Sequence, residues 1–368
     1  MIEILLAFFF ISVLLFFLGS GIWVAISMVG VSSIGMILFT SRPVGDAMAT
    51  TIWGASSSWT LTALPLFVWM GEILFRTKLS ENLFGGLAPW LQKLPGGLIH
   101  VNVVGCALFA AISGSSAATV ATVGKMSIPE LRKRKYPEKI LLGSLAGSGT
   151  LGLLIPPSII LIIYGVTVQE SIAKLFIAGI IPGIMIALIF MGYVIVWSLL
   201  NKNKMPTNYE NFSFLNKLGK SKQLIPVILL ILGVIGSIYT GIATATEAAS
   251  LGVVGALILS YFQKSLTYKT FKDSLLGATK TSCMIAFILA GATFLSLAMG
   301  FTGLPRNLAL WIQNMELSPY VLIFVLMIFY IILGMFLDGI SAVVLTMAII
   351  EPMIRQAGFD MILSLIHI

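Results

Sequence analysis

The sequence predicts an all-α polytopic membrane protein, built as an inverted repeat with two re-entrant helical hairpins and broken helices. Hydrophobic residues make up 58% of its 368 residues and charged residues only 10%, whereas soluble domains carry about 25% charged residues. Apolar stretches long enough to cross a bilayer, about 20 residues each, recur along the chain. Two further apolar stretches are interrupted in mid-run by glycine and small polar residues.

The two interrupted stretches also share a pattern at their C-terminal ends. In both, a proline stands seven residues before an aromatic residue: Pro129 before Tyr136, and Pro352 before Phe359. Interrupted apolar segments at corresponding positions of two halves are the best sequence indication of the central site of a secondary transporter.

The remaining apolar runs predict eight spans, at about 2–18, 20–40, 58–75, 140–165, 176–200, 224–240, 245–263 and 281–300. The two hairpins cover about 98–128 and 319–353. Residues 80–97 and 303–316 predict helices that lie in the membrane interface. Residues 2–18 are interpreted as a retained helix, because a secretory signal needs a positively charged start.

Lysine and arginine fall unevenly between the connecting stretches. With the N-terminus outside and each hairpin returning to its entry side, the inside stretches carry 18 basic residues and the outside stretches carry 4. This bias supports that topology. If residues 98–128 crossed the membrane once, the basic run at 132–135 would face outward. The second hairpin enters from outside, so the two form an inverted repeat.

Other classes of protein are not indicated. The net charge of +8 comes from short loops without a basic stripe and interleaved aromatics, so no nucleic-acid partner is expected. Without HExxH, GxSxG or a Walker loop, the chain is not predicted to be an enzyme or to use ATP directly. Cys106 and Cys283 lie in apolar runs and predict packing residues rather than a disulfide. His100 and His367 do not predict a metal site.

The turn of the first hairpin is the leading candidate site, with the residues Ser113, Gly114, Ser115 and Ser116. Non-helical backbone at mid-membrane depth must be satisfied by protein, water or an ion. Unwound carbonyls and serine hydroxyls suit a hard monovalent cation, and helix N-termini opening there suit an anion. The alternative is a seam of small residues that packs helices together.

The next apolar run is interrupted by Pro156 and Pro157, which remove two backbone donors. Glycines precede this break at 143, 147, 149 and 152. The run predicts a discontinuous helix, and the alternative is a kink without a ligand.

Asp338 is the only aspartate predicted at membrane depth, where its burial costs about 2.5–3.5 kcal/mol. A cation or the amides of the second hairpin would offset that cost. The alternative is a carboxylate that caps its own turn.

Two acidic residues have simpler interpretations. Thr246 and Glu247 suit an N-cap and a first-turn acid. Glu72 predicts an i,i+4 ion pair with Arg76.

Taken together, the motifs resemble those of the large membrane subunit of tripartite ATP-independent periplasmic (TRAP) transporters, over almost the whole chain. The most specific pieces are residues 113–118 with Pro129 and Tyr136, residues 152–158 with 164–165, residues 246–249 and residues 334–338. The family usually has proline where Ala245 stands.

The resemblance implies an ion-transporter-superfamily elevator fold in the bacterial inner membrane, and the lysine and arginine bias predicts a periplasmic N-terminus. It implies sodium-coupled import of organic acids, such as C4-dicarboxylates or sialic acid, with Na⁺ as coupling ion and no other cofactor. A periplasmic substrate-binding protein and a small four-helix membrane subunit are the implied partners, with membrane lipid around them. The alternatives are a stand-alone sodium/anion symporter of the same superfamily and a non-transporting scaffold.

Carried over to this chain, the resemblance places one sodium site at residues 113–116, with Gly149 and Gly152 facing it and Pro156 and Pro157 beside it. The other site has Gly334, Asp338 and Gly339.

The implied domains are a scaffold and arm at 1–97, a transport core at 98–200, a cytoplasmic loop at 201–223, a second scaffold and arm at 224–318, an incomplete second core at 319–362, and a non-native tail at 363–368.

The repeat requires a second broken helix after Phe359, where only nine residues remain. We therefore expect a truncated reading frame whose product cannot transport. The tail at 363–368 also matches the translation of a common sequencing adapter. Sequencing the genomic locus tests this expectation, and a native stop codon after Ile368 would refute it.

Overall fold

The computed structural model describes residues 2–76, 79–206, 213–222, 224–307, 310, 318–335, 337 and 339–367. Within these ranges the regular structure is helical, as predicted. The helices are α1 (Ile2–Gly19), α2 (Val24–Phe39), α3 (Val44–Ser56), α4 (Ala63–Phe75), α5 (Leu79–Leu91), α6 (Ile99–Ser113), α7 (Ser116–Lys133), α8 (Glu138–Gly149), α9 (Leu151–Leu154), α10 (Ile159–Thr167), α11 (Ile172–Leu200), α12 (Phe214–Ser221), α13 (Ile225–Tyr239), α14 (Ala245–Phe262), α15 (Tyr268–Phe301), α16 (Pro319–Gly334), α17 (Gly339–Gln356) and α18 (Met361–His367).

The described chain contains four segments that are long and apolar enough to cross a membrane unaided, and seven if each bent pair counts as one span. The four are Glu138–Thr167, Ile172–Leu200, Ala245–Phe262 and Tyr268–Phe301. This arrangement is that of a multi-pass membrane protein, in agreement with the sequence prediction.

Two helices differ from the predicted spans. Helix α3 covers Val44–Ser56, where no element was expected, because its mixed polarity hides it from a hydropathy reading. Its start signals are nevertheless present, with Pro43 before the helix and Asp46 in the first turn. Helix α15 begins at Tyr268, well before the expected 281. The predicted span was limited to residues after 280 because lysines precede it. The helix nevertheless includes these lysines.

The chain folds into two compact units. The terminal unit comprises Met1–Thr62, Ile163–Ser171 and Thr281–Ile368, and the central unit comprises Ala63–Ile162 and Ile172–Lys280.

In the central unit, α4 packs along α14 and against α6. Gly252 of α14 permits this approach, since a Cβ there would lie 2.5 Å from the Met70 sulfur. The ring of Phe67 stands edge-on to Phe176 of α11, with centroids 5.8 Å apart. At the end of α4, Arg76 pairs with Glu72 at 3.1 Å, which confirms the predicted i,i+4 ion pair.

In the terminal unit, α2 and α15 share a buried core of Met36, Phe294 and Ala298. The two backbones come close at Gly291, where a Cβ would lie 2.8 Å from the Ala25 carbonyl oxygen. A side chain at this position would push the helices apart.

Helix α14 begins with a capping box. The Thr244 hydroxyl accepts the Glu247 N–H at 3.3 Å, and the Glu247 carboxylate accepts the Thr244 N–H at 2.8 Å. The prediction of Thr246 as the cap is therefore wrong, whereas Glu247 lies in the first turn as predicted. The reciprocal pair requires the acid three residues after the cap, which selects Thr244.

Replacing Thr244 with alanine should lower the free energy of unfolding by about 1 kcal/mol, because the first turn of α14 loses its side-chain acceptor. Thr246→Ala is the matched control and should change it by less than about 0.5 kcal/mol. Thermal or denaturant unfolding in detergent measures both. Equal losses in the two variants would contradict the capping assignment.

Candidate functional site: the first hairpin and the broken helix

The first hairpin turns at two residues between α6 and α7. Gly114 ends α6 in the left-handed region with φ 58°, and its N–H bonds to the Ala110 carbonyl at 3.0 Å. Glycine adopts this conformation at little cost. Ser115 is extended and caps α7, where its hydroxyl accepts the Ala118 N–H at 3.5 Å.

Hydroxyl groups fill the inside of this turn. The Thr119 N–H and hydroxyl both donate to the Ser115 carbonyl, at 3.0 and 2.7 Å. The Ser113 hydroxyl lies 2.9 Å from the Thr119 hydroxyl, and both residues are buried. The sequence prediction did not include Thr119, although its position four residues after the cap is the signal that could have indicated it.

The segment after the hairpin is a discontinuous helix, as the sequence predicted. Helix α8 ends at Gly149 and α9 ends at Leu154, an extended Ile155 follows, and α10 starts at Ile159. Between them, Pro156 and Pro157 are joined by a cis peptide bond. The buried Ser158 hydroxyl donates to the Leu153 carbonyl at 2.6 Å and so bridges the gap.

The hairpin turn rests directly on this break. The Ile159 N–H donates to the Gly114 carbonyl at 3.2 Å. A Cβ on Gly114 would lie 2.8 Å from the Pro157 carbonyl oxygen. A Cβ on Gly152 would lie 2.9 to 3.0 Å from the Ser115 carbonyl group and the Ser116 nitrogen.

The structure thus brings together most of the residues predicted for the first site. Gly149 also approaches the start of α7, since a Cβ there would collide with Val120 and lie 3.8 Å from the Ser116 carbonyl. Among the hydrogen bonds of the described residues, none ends at the carbonyls of Ser113 or Pro157, and none involves the Ser116 hydroxyl. Such a group of oxygens can bind a small cation, and occupancy by sodium stays a prediction.

Both predicted hairpins are closed at their base by the aromatic residue of the repeated pattern. In the first hairpin, the Tyr136 hydroxyl accepts the Leu98 N–H at 3.0 Å. In the second, the Phe359 ring meets Tyr320 edge-on, with centroids 6.1 Å apart. In each hairpin, the aromatic residue that follows the second helix therefore lies beside the start of the first helix.

Only part of the second predicted site lies within the described residues. Gly334 ends α16 and Gly339 begins α17, whereas Asp338 lies outside the described residues. Helix α17 bends by 68° between Met347 and Ile349. The hydroxyls of Tyr330 and Thr346 hydrogen-bond to each other across the hairpin.

A cavity of about 690 Å³ lies within the terminal unit. Its wall carries hydroxyl groups and two carboxylates, from Ser58, Thr60, Thr167, Thr293, Ser296, Glu170 and Glu351. Arg355 pairs with Glu351 at 2.9 Å and donates to the Val168 carbonyl at 3.2 Å. The sequence prediction did not include this cavity, because its wall comes from segments far apart in the chain.

A hairpin with an unwound turn that rests on a broken helix, in a chain with several helices apolar and long enough to cross a membrane, is typical of a multi-pass membrane protein of the transporter class. The chain belongs to the family described as "Tripartite ATP-independent periplasmic transporter, DctM component", whose profile matches residues 10–368.

Relatives in three bacteria support this assignment. The chain is 31% identical over 332 residues to the C4-dicarboxylate TRAP transporter large permease protein DctM of Pseudomonas aeruginosa, covering 90% of this chain and 77% of that protein. It is 32% identical to the 2,3-diketo-L-gulonate permease YiaN of Escherichia coli, covering 85% and 73%. It is 31% identical to the sialic acid permease SiaM of Vibrio cholerae, covering 93% and 79%.

These findings confirm the predicted resemblance. The relatives are named as permease subunits of transporters and not as enzymes, so the chain is a TRAP transporter large permease. The predicted truncation and the predicted domain boundaries stay predictions.

The contact between Gly152 and the hairpin turn can be tested by Gly152→Ala. The added methyl would force the Ser115–Ser116 peptide away, which should lower the free energy of unfolding by about 1–3 kcal/mol. Gly143→Ala is the matched control, since a Cβ at this glycine on α8 meets nothing within 4 Å. Thermal unfolding measures both, and equal stability of the two variants would contradict the packing.

Proposed function

We propose that this chain is the permease of a sodium-coupled importer of organic acids in the bacterial inner membrane. The observation that carries the proposal is the group of backbone and hydroxyl oxygens where the first hairpin rests on the broken helix. Two carbonyls and the Ser116 hydroxyl there accept no hydrogen bond from the described residues. At membrane depth such groups need a partner, and a cation supplies one.

Sodium suits these oxygens better than a transition metal would. The turn offers carbonyl and hydroxyl oxygens, which are hard ligands, whereas transition metals favour imidazole and thiolate. The described part of the chain holds no cluster of histidine, cysteine and acidic residues that would bind such a metal. The proposed ligands are Ser113, Gly114, Ser115, Ser116 and the Pro157 carbonyl.

The second ion site is proposed at the turn of the second hairpin, by the repeated pattern. Asp338 would contribute a carboxylate there, between Gly334 and Gly339. Each sodium ion entering a negative interior is driven by about 2.3 kcal/mol per 100 mV. Import of more sodium charge than substrate charge would therefore use the membrane potential.

The substrate is proposed to be a carboxylate. The three relatives are named for C4-dicarboxylate, 2,3-diketo-L-gulonate and sialic acid, which all carry a carboxylate group. The start of α10 at Ile159 presents backbone N–H groups beside the cation ligands, which favours an anion. The cavity of about 690 Å³ in the terminal unit is in the size range of small-ligand sites.

The proposed assembly is that of the family name, which describes a tripartite system. A soluble periplasmic protein would deliver the substrate, and a small four-helix membrane subunit would extend the scaffold. The proposed mechanism is the elevator mechanism that the resemblance to the family implies. The distribution of lysine and arginine favours an N-terminus in the periplasm.

Sodium binding can be tested without knowing the substrate. Sodium chloride should raise the melting temperature of the purified protein more than choline chloride at equal ionic strength, since a ligand of the folded state stabilises it. Ser116→Ala should raise the half-maximal sodium concentration about tenfold, which corresponds to about 1.4 kcal/mol. Ser250→Ala is the control, because that serine is exposed on α14. Equal effects of sodium and choline would contradict the cation site.

Transport itself requires the partners. When the full-length protein is produced together with a periplasmic binding protein and a small four-helix membrane subunit, cells should accumulate radiolabelled succinate or sialic acid in sodium medium. Replacing sodium with choline should abolish uptake. Uptake of either probe that persists in choline would defeat the sodium-coupling proposal.

A further inference from the structure

The larger cavity of the terminal unit is built around the C-terminal end of α10. This helix ends with Gln169 in the left-handed region at φ 58°, and the Glu170 N–H donates to the Gly165 carbonyl at 2.9 Å, as in a Schellman cap. Arg355 of α17 donates to the Val168 carbonyl at 3.2 Å. These bonds fix the backbone of Glu170 at the wall of the cavity of about 690 Å³.

The two carboxylates in this wall differ in their partners. Glu351 is neutralised by Arg355, at 2.9 Å. Glu170 is partly buried, and it forms no ion pair or side-chain hydrogen bond with the residues that the structure describes. The Glu170 carboxylate is therefore available to accept hydrogen bonds from a ligand.

Several hydroxyl groups of the same wall are also available. Those of Ser58, Thr60 and Ser296 form no hydrogen bond within the described part of the chain. Those of Thr167 and Thr293 donate to carbonyls of their own helices at 2.8 Å, so each can still accept a hydrogen bond. Alanine, leucine, valine and methionine side chains complete the wall. Such a wall suits a ligand that carries both hydroxyl groups and C–H surface.

A second cavity, of about 420 Å³, adjoins the first at Pro352, which lines both. Its wall includes Arg306, which is exposed and has no partner among the described residues. The sequence of the terminal unit holds two other arginines and no lysine. Arg42 stacks on the Phe301 ring at 4.5 Å, and Arg355 has its ion pair. Arg306 is thus the arginine left for a carboxylate, which a guanidinium binds with two parallel hydrogen bonds.

The predicted topology places this region on the side from which an importer receives its substrate. Arg306 and Arg355 both belong to the outside stretches that the lysine and arginine bias defines. A ligand arriving from outside therefore meets the cavity of Arg306 and the cavity of Glu170 as neighbours.

We propose that the two adjoining cavities bind a polyhydroxylated monocarboxylic acid, which is a sugar acid, before its import. The carboxylate of the ligand binds Arg306. Its hydroxyls donate to Glu170 and exchange hydrogen bonds with the serine and threonine hydroxyls of the larger cavity. A second carboxylate on the ligand would meet the like charge of Glu170, so dicarboxylates are rejected. This inference deepens the proposed import of organic acids and rests on it.

The test compares three six-carbon acids, as sodium salts at equal total sodium, on the purified chain. Gluconate has one carboxylate and five hydroxyls, glucarate has a second carboxylate in place of the terminal hydroxymethyl group, and hexanoate has no hydroxyl. Gluconate should raise the melting temperature, since it binds the folded state. Glucarate and hexanoate should need about tenfold higher concentrations for the same rise. Equal half-maximal concentrations of gluconate and glucarate would overturn the proposal.

Two variants assign the discrimination to single residues. Glu170→Gln should lower the half-maximal glucarate concentration about tenfold and change that of gluconate less than about threefold. Arg306→Gln should raise both about tenfold. Asp46→Asn and Arg42→Gln make the same charge changes outside the lining of both cavities and should leave all values unchanged. Unchanged melting temperatures without ligand show that each variant is folded.

The outcomes separate this inference from the proposed function. Stabilisation by sodium without any preference for gluconate over hexanoate would overturn the sugar-acid site and leave the sodium-coupled importer in place. Preference for glucarate over gluconate would do the same. Preference for gluconate with equal effects of sodium and choline would support the site and contradict sodium coupling instead.

Discussion

The whole arrangement depends on satisfying backbone polar groups inside a membrane. A hairpin that turns at membrane depth exposes peptide groups that lipid cannot hydrogen-bond. Here the Gly114 carbonyl receives the Ile159 N–H, and Thr119 satisfies the Ser115 carbonyl twice. The turn and the discontinuous helix therefore need each other, because each supplies a hydrogen-bonding group that the other lacks.

Close approach makes this mutual support possible. Gly114, Gly149 and Gly152 all stand where a Cβ would press on neighbouring atoms. The same glycines bring the hairpin turn against the broken helix, where the carbonyls of Ser113 and Pro157 and the Ser116 hydroxyl accept no hydrogen bond from the described residues. In a membrane, close packing and a group of oxygens without hydrogen-bond donors are consequently two results of one constraint, and the small-residue seam is compatible with the proposed cation site.

The sequence predicted the features that are local in the chain. Glycines, paired prolines and the aromatic residue after each hairpin were visible as patterns, and Tyr136 and Phe359 do close the two hairpins. Contacts between distant residues were not visible, such as the bond between Gly114 and Ile159 or the wall of the larger cavity. Helix α3 was missed because hydropathy reports membrane burial rather than helix formation. The N-cap of α14 was predicted at Thr246 instead of Thr244 because the two threonines stand close together in the sequence. Only the spacing to Glu247 distinguishes the residue that caps the helix.

The most direct test is whether the first hairpin returns to its entry side of the membrane. Single cysteines would replace the exposed residues Lys93, Lys133 and Lys174, in a chain whose Cys106 and Cys283 are changed to alanine. In intact cells, a membrane-impermeant maleimide should label position 174 only, and a permeant one should label all three. Labelling of position 133 by the impermeant reagent, with position 93 protected, would show a full crossing and contradict the re-entrant hairpin.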